Sequence, residues 1–148
     1  MELLSRSTAT QSPASVANTA EASTIAGISE PTIARYFETL NAGDFEATGR
    51  LFADDGALHP PFENAIIGPA AIMAYLQTEA KGFKLQPMQG VTQPAANGCT
   101  DVQVNGKVQT PLFAVNVSWL FVLTSDQKLQ CAKIKLLASP QELLTLKR

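Results

Sequence analysis

This chain has few cysteine and histidine residues and a small net charge. Its 148 residues include two cysteines and one histidine, and its formal net charge is −2. Two cysteines outside a Cys-x-x-Cys pattern predict neither a disulfide framework nor a zinc site. The small negative charge argues against binding to nucleic acid or to a membrane surface by overall charge alone.

Long apolar runs are also missing. No run reaches the ~20 residues that a membrane-spanning helix needs, and the N-terminus lacks the basic start and apolar core of a secretory signal. Residues 1–27 are rich in Ser, Thr and Ala and contain no aromatic residue, so they cannot bury enough surface to offset their ordering entropy. The sequence predicts a cytoplasmic protein with a mobile tail at 1–27 and one folded domain at 28–148.

Helical spacing of apolar residues predicts three helices in the first half of the fold. Ser29 is the predicted N-cap of the first helix, with Pro31 in its first turn and Gly43 at its end. Asp44 is predicted to cap a short second helix. Gly68-Pro69 is predicted to open the third.

After Gly82 the apolar spacing becomes alternating, which is typical of strands. Asp54-Asp55-Gly56 predicts an earlier turn, Asn105-Gly106 predicts a hairpin, and Ser139-Pro140-Gln141-Glu142 predicts the start of a C-terminal helix. The segment that contains Trp119 has apolar residues on alternate positions and predicts a central strand. The predicted strands cover residues 83–89, 100–105, 107–110, 113–123 and 128–137.

Helices followed by antiparallel strands predict an α+β fold. A curved antiparallel sheet wrapped round the N-terminal helices forms a cone, and a short helix follows the last strand. An apolar pocket is expected between the inner face of the sheet and the first helices, where a small molecule would bind.

Several motifs resemble one family over about residues 28–148. They are Arg35-Tyr36-Phe37-Glu38-Thr39-Leu40-Asn41-Ala42, Asp55-Gly56-Ala57-Leu58, Pro60-Pro61-Phe62, Gly106-Lys107-Val108-Gln109-Thr110-Pro111 and Leu136-Leu137-Ala138-Ser139-Pro140-Gln141-Glu142-Leu143-Leu144. The pattern resembles the nuclear-transport-factor-two-like fold and, more closely, the C-terminal domain of the cyanobacterial orange carotenoid protein family. The helical N-terminal domain of that family has no counterpart here, so the chain resembles a stand-alone C-terminal domain homologue.

The resemblance implies a ligand and the residues that hold it. In that family a Tyr and a Trp donate hydrogen bonds to the keto oxygen of a ketocarotenoid such as canthaxanthin or echinenone, and by position these are Tyr36 and Trp119. The neighbouring matched pocket positions are all apolar, as a polyene requires: Leu40, Phe83, Leu85 and Ile134.

The resemblance also implies a role without covalent chemistry. A stand-alone homologue is expected to be a soluble carrier that takes carotenoid from membranes through transient contact and exchanges it with helical carotenoid proteins in photoprotection. A homodimer is expected to enclose both ends of the pigment. Three positions depart from the family pattern, namely Leu112 where a Trp is expected, Lys135 where an acidic residue is expected, and Cys131 at an aromatic position.

Cys131 is also a candidate reactive thiol because of its neighbours in the sequence. In a strand it lies on the same face as Lys133 and Lys135, whose ammonium groups are expected to lower the pKa of the thiol and make it reactive. We therefore predict a Cys131–Cys131 disulfide between two molecules under oxidising conditions, with Cys99 as the second choice. The alternative is an inert, partly covered thiol.

Other readings of the same residues remain open. From spacing alone, Tyr36 and Trp119 are ordinary core aromatics. A small hydrolase or isomerase of the same cone fold would use His59 as a general base oriented by Asp54 or Asp55. A dimerisation module with a filled core would bind no ligand.

Overall fold

The computed structural model describes residues 25–137, which form three α-helices and one six-stranded sheet. The helices are α1 (Pro31–Ala42), α2 (Phe45–Arg50) and α3 (Pro69–Glu79). The strands are β1 (Phe52–His59), β2 (Ile66–Ile67), β3 (Lys84–Pro94), β4 (Thr100–Gln109), β5 (Ala114–Leu123) and β6 (Leu129–Leu137).

The strands lie in the order β2-β1-β6-β5-β4-β3, so the first long strand is next to the last one. The β1–β6 pair is parallel and the other neighbouring pairs are antiparallel. The predicted α+β class is confirmed, but the sheet is mixed rather than wholly antiparallel. A parallel neighbour needs a long crossover, and here that crossover contains α3 and the four other strands of the same sheet.

The ends of the first two helices follow from local backbone chemistry. The N-cap of α1 is Glu30, not the predicted Ser29, because the residue before Pro31 is held in an extended conformation. Gly43 ends α1 in the left-handed conformation, with φ of 77°, as predicted. The Asp44 side chain accepts a hydrogen bond from the Ala47 backbone N–H at 3.2 Å, which confirms it as the cap of α2.

The predicted hairpin at Asn105-Gly106 is wrong. Strand β4 runs straight through these residues, and the register of β3 shifts opposite them, between Pro87 and Gln89. A Cβ atom on Gly106 would lie 2.2 Å from the backbone oxygen of Gln86. This glycine therefore permits close approach of two strands at a bulge rather than a turn.

The predicted turn at Asp54-Asp55-Gly56 is also wrong, because these residues lie inside β1. Phe52 is opposite Leu129 and Ala57 is opposite Cys131, so β1 contains extra residues between two points of normal pairing. The turn-forming residues Asp54-Asp55-Gly56 lie in this irregular part of the strand. In contrast, Thr124-Ser125-Asp126-Gln127, a composition typical of a turn between two strands, does form one, because the Gln127 N–H donates to the Thr124 carbonyl at 3.0 Å.

The core lies between α1 and the inner face of the sheet. Alternate residues of β5 are almost wholly buried, which confirms the predicted central strand: Val117, Trp119, Phe121 and Leu123. They pack in one cluster with the buried face of α1, formed by Ile33, Tyr36, Phe37 and Leu40.

At the N-terminal side, Ile25 is only 4% exposed and Ala26 forms a parallel bridge with Gln89. The packed structure therefore includes Ile25, within the segment predicted as a tail. Residues 1–24 of that tail and the predicted helix from Ser139 onward lie outside the described residues.

Candidate functional site

A cavity of about 370 Å³ lies between the helices and the inner face of the sheet. Its deep wall is mainly aliphatic and aromatic, with contributions from α1, α3 and strands β1 and β3 to β6. The lining residues of this deep part include Tyr36, Leu40, Leu58, Leu76, Phe83, Leu85, Val108, Val117, Trp119 and Ile134.

Tyr36 and Trp119 approach this cavity from opposite elements, α1 and β5. Tyr36 is 2% exposed and Trp119 is 1% exposed. Phe37 contacts both rings edge to face, with centroid distances of 5.2 Å to Tyr36 and 4.7 Å to Trp119. This packing fixes the orientation of the two side chains.

The polar atoms of this pair have no protein partner among residues 25–137. Neither the Tyr36 hydroxyl nor the Trp119 indole N–H makes a hydrogen bond there, although both residues line the cavity. Burial raises the pKa of Tyr36 far above its ordinary value, so its hydroxyl remains a neutral donor at physiological pH. The cavity thus offers two donors to a ligand that carries an acceptor.

All six residues predicted for the ligand site lie on this one cavity: Tyr36, Leu40, Phe83, Leu85, Trp119 and Ile134. They come from four different elements and the turn before β3, so the sequence spacing alone does not show that they meet. Their role in binding a ligand stays a prediction.

The mouth of the cavity contains residues that the sequence reasoning missed. The Tyr75 hydroxyl donates to the Glu63 carboxylate at 3.0 Å, and Glu79 lines the same opening. Burial and Glu63 together raise the pKa of Tyr75. The only signal in the sequence was the helical spacing of apolar residues in α3. This pattern includes Tyr75, but it does not show which end of the helix borders an opening.

Cys131 lies in the middle of β6, between Ala57 of β1 and Val122 of β5. Its pKa is raised, because the desolvation of the half-buried thiol outweighs the opposing effect of Lys133. The expected lowering of this pKa by the lysines is therefore wrong. Cys99 is partly buried and immediately precedes β4, and within the described residues both thiols are free.

His59 ends β1 opposite Lys133 and does not line the cavity. It lies instead in a neighbouring surface groove with Lys133 and Lys135. Within residues 25–137 it makes no hydrogen bond to Asp54 or Asp55. The arrangement does not bring the predicted general base and its orienting carboxylate together at the apolar site.

The described part of the chain offers neither a metal site nor a membrane-spanning helix. Among residues 25–137, no group of three or more His, Cys, Asp or Glu side chains is placed to hold a metal ion. None of the helices in this part of the chain has the length and hydropathy needed to cross a bilayer.

Comparison with known proteins gives a family and several relatives. The nuclear transport factor 2 (NTF2) domain matches residues 28–132. The orange carotenoid-binding protein of Synechocystis sp. is 42% identical over 128 residues, which are 84% of this chain and 40% of that protein. The protein of the same name from Limnospira maxima is 42% identical over 126 residues, 82% of this chain and 40% of that protein.

A solved structure gives the same relationship in three dimensions. The orange carotenoid protein of Anabaena (Nostoc) sp., described as binding canthaxanthin, superposes with a TM-score of 0.76 at 44% identity. The match covers 82% of this chain and 40% of that one. The chain spans about 40% of the length of the curated relatives it matches. From its fold and this match, the chain belongs to the nuclear transport factor 2 domain family, as a homologue of the C-terminal domain of the orange carotenoid protein.

Proposed function

We propose that this protein is a carrier of ketocarotenoids such as canthaxanthin or echinenone. The observation that carries the proposal is the pair of donors, Tyr36 and Trp119, in the deep and otherwise apolar part of the cavity. A keto oxygen accepts both hydrogen bonds, each contributing roughly 0.5–1.5 kcal/mol, while burial of the ring and polyene supplies most of the affinity. The canthaxanthin named for the Anabaena relative supports this ligand class.

The proposal is tested by the visible absorption spectrum of protein purified from cells that make canthaxanthin. The unmodified protein is expected to show a broad, red-shifted carotenoid band, which weakens or shifts in Tyr36→Phe and in Trp119→Phe. Phe45→Leu is the matched control, because Phe45 is a buried aromatic that does not line the cavity. Colourless unmodified protein in pigment-producing cells would overturn the carrier proposal.

The same proposal includes the path of the pigment. The protein takes up carotenoid from membranes, works in the cytosol and exchanges its ligand with helical carotenoid proteins in cyanobacterial photoprotection. Mixing the coloured protein with an apo helical carotenoid protein and separating the two by size is expected to show pigment in both fractions. If all pigment remains with the original protein, the exchange step is wrong.

A homodimer completes the proposed carrier. A globule of about 120 ordered residues has a radius of gyration near ~14 Å, too small for one cavity to enclose a whole ketocarotenoid. Two copies with facing cavities cover both rings. Light scattering after size exclusion is expected to give a dimer mass for the coloured protein, and a coloured monomer contradicts this part.

Cys131 is proposed to link the two copies under oxidising conditions. The raised pKa lowers the thiolate fraction of Cys131, with Lys133 opposing the shift, but a thiolate of higher pKa is also the stronger nucleophile, so oxidation is slowed rather than prevented. A dimer band on non-reducing gels is expected after oxidation of the Cys99→Ser variant but not of Cys131→Ser. The reverse result assigns the disulfide to Cys99 and contradicts this step.

A further inference from the structure

Three apolar side chains surround the mouth of the cavity and are left facing solvent. Phe62, on the loop after β1, is 93% exposed; Phe113, at the turn before β5, is 57% exposed; and Leu136, near the end of β6, is 44% exposed. All three also line the cavity. We call Phe62, Phe113 and Leu136 the rim. Leu112, beside Phe113, is 88% exposed.

The loop that carries Phe62 displays this side chain at a conformational cost. Phe62 has a φ of 65°, a left-handed conformation that is unfavourable for a residue with a bulky side chain. Its exposure shows that packing within residues 25–137 does not compensate for this conformation. Contiguous exposed apolar groups of this kind mark a surface that binds something apolar.

The charges of the sheet are separated between its two ends. Four lysines of the sheet lie toward the mouth, as the strand registers show: Lys84 on β3, Lys107 on β4, and Lys133 and Lys135 on β6. Lys81 lies beside them, in the turn before β3. Of the lysines in the described part of the chain, only Lys128 is at the opposite end, which also contains Asp54, Asp55, Asp101 and Asp126.

Two acidic side chains are present at the mouth as well. Glu63 is hydrogen-bonded to the Tyr75 hydroxyl, and Glu79 lines the cavity. Among residues 25–137, the five lysines toward this end of the sheet outnumber the two carboxylates that line the mouth of the cavity, although the formal charge of the whole chain is negative. A locally basic surface is therefore present on a chain whose total formal charge is negative.

A groove beside the cavity brings the two kinds of surface together. It has a volume of about 570 Å³ and is lined by His59, Lys133 and Lys135 together with Phe62 and Leu136. Apolar groups with flanking cations match the two layers of a bilayer surface, acyl chains below and anionic phosphates above.

We propose that the mouth end of this protein docks on an anionic lipid bilayer. The rim inserts among the acyl chains, and Lys133 and Lys135 contact the phosphate groups, so that the cavity opens directly onto the hydrocarbon. The inference rests on the proposed carrier function, since it assigns the surface through which an apolar ligand enters the cavity from a membrane.

The test is co-sedimentation of the ligand-free protein with vesicles of phosphatidylcholine, with and without added phosphatidylglycerol. Binding is expected only when the anionic lipid is present, and added salt is expected to weaken it. Phe62→Ser and the double variant Lys133→Glu/Lys135→Glu are each expected to lose on the order of tenfold in vesicle affinity. Val91→Ser removes an exposed apolar side chain and Lys128→Glu reverses a lysine charge away from the mouth, and both are expected to bind normally.

Three results would each overturn the proposal. The first is equal binding by the mouth variants and their controls, and the second is binding that does not depend on lipid charge. The third is normal vesicle binding by variants that lose pigment exchange with a helical carotenoid protein, because the surface then belongs to a protein partner. Thermal unfolding of each variant, expected to be unchanged at these exposed positions, checks folding.

This test is separable from that of the carrier function. Colourless protein that still binds anionic vesicles through Phe62 and the lysines overturns the carrier function and supports the docking surface. Coloured Lys133→Glu/Lys135→Glu protein with an unchanged spectrum but no vesicle binding supports both, because these lysines do not line the cavity.

Discussion

Asn41 and Leu85 are joined by a pair of hydrogen bonds that ties the end of α1 to the start of β3. The Asn41 side-chain N–H donates to the Leu85 carbonyl at 2.9 Å, and its side-chain oxygen accepts from the Leu85 backbone N–H at 2.7 Å. Leu85 lines the cavity, and Leu40 precedes Asn41 on the helix. One amide therefore fixes the spacing between two walls of the site.

Removing that amide is expected to loosen this junction. Asn41→Ala leaves both Leu85 backbone groups unpaired and is expected to lower the free energy of unfolding by about 1–3 kcal/mol. Urea denaturation measures the change. Asn64→Ala, the same substitution on an exposed loop, is the control and is expected to change stability by less than about 0.5 kcal/mol; equal effects would show that the Asn41 pair contributes nothing special.

Gly106 and Gly43 separate two reasons for needing glycine. A Cβ atom at Gly106 would lie 2.2 Å from the Gln86 oxygen, whereas at Gly43 it meets nothing within 4 Å and only the positive φ is unfavourable. Gly43→Ala is expected to cost about 1 kcal/mol, and Gly106→Ala about 2–3 kcal/mol because two strands must move apart. Thermal or urea unfolding of both variants checks the order, and a larger loss at Gly43 contradicts the bulge assignment.

These two glycines show where the sequence was sufficient. Gly43 was predicted correctly, because a helix end depends on neighbouring residues. Asn105-Gly106 has the composition of a hairpin turn, but contact with Pro87 on another strand decides its conformation. In the same way, Asp54-Asp55-Gly56 became part of β1 because Leu129, far along the chain, pairs next to it.

The site shows a similar division. Family resemblance aligns single residues, and the apolar positions and the Tyr36–Trp119 pair that it indicated all lie on the cavity. The Tyr75–Glu63 bond and the exposed Phe62 were missed, since no local pattern indicates which loop reaches the mouth. The pKa of Cys131 was predicted in the wrong direction because charge neighbours are visible in a strand pattern, whereas burial by adjacent strands is not.

Burial of Tyr36 makes stability depend on alkaline pH. Its pKa is raised in the folded state above the value of 10.0 expected for an exposed tyrosine, so the contribution to stability is complete below about pH 10 and is lost as pH rises above it. The loss approaches about 1.4 kcal/mol per pH unit. Urea denaturation from pH 8 to 11 at intervals, for wild type and Tyr36→Phe, is expected to show the steeper decline in wild type only; parallel curves contradict it.

The raised pKa of Cys131 predicts slow alkylation in the folded protein. In the Cys99→Ser variant, Cys131 is the remaining thiol, and its half-buried position reduces both the thiolate fraction and access. Its reaction with iodoacetamide near neutral pH is expected to be several-fold slower in the native state than in urea. Equal rates in the two states would mean that burial does not control this thiol.

The parallel pairing of β1 with β6 has a consequence for how the protein is made. Phe52 and Leu129 are partners in the sheet, and the Leu129 N–H donates to the Leu51 carbonyl at 2.8 Å. Such distant partners slow folding, because a large loop must close before the contact forms. During synthesis β1 leaves the ribosome long before β6, so the early helices and the first strand remain without this neighbour, and the cavity acquires its Ile134 wall only after β6 has been made.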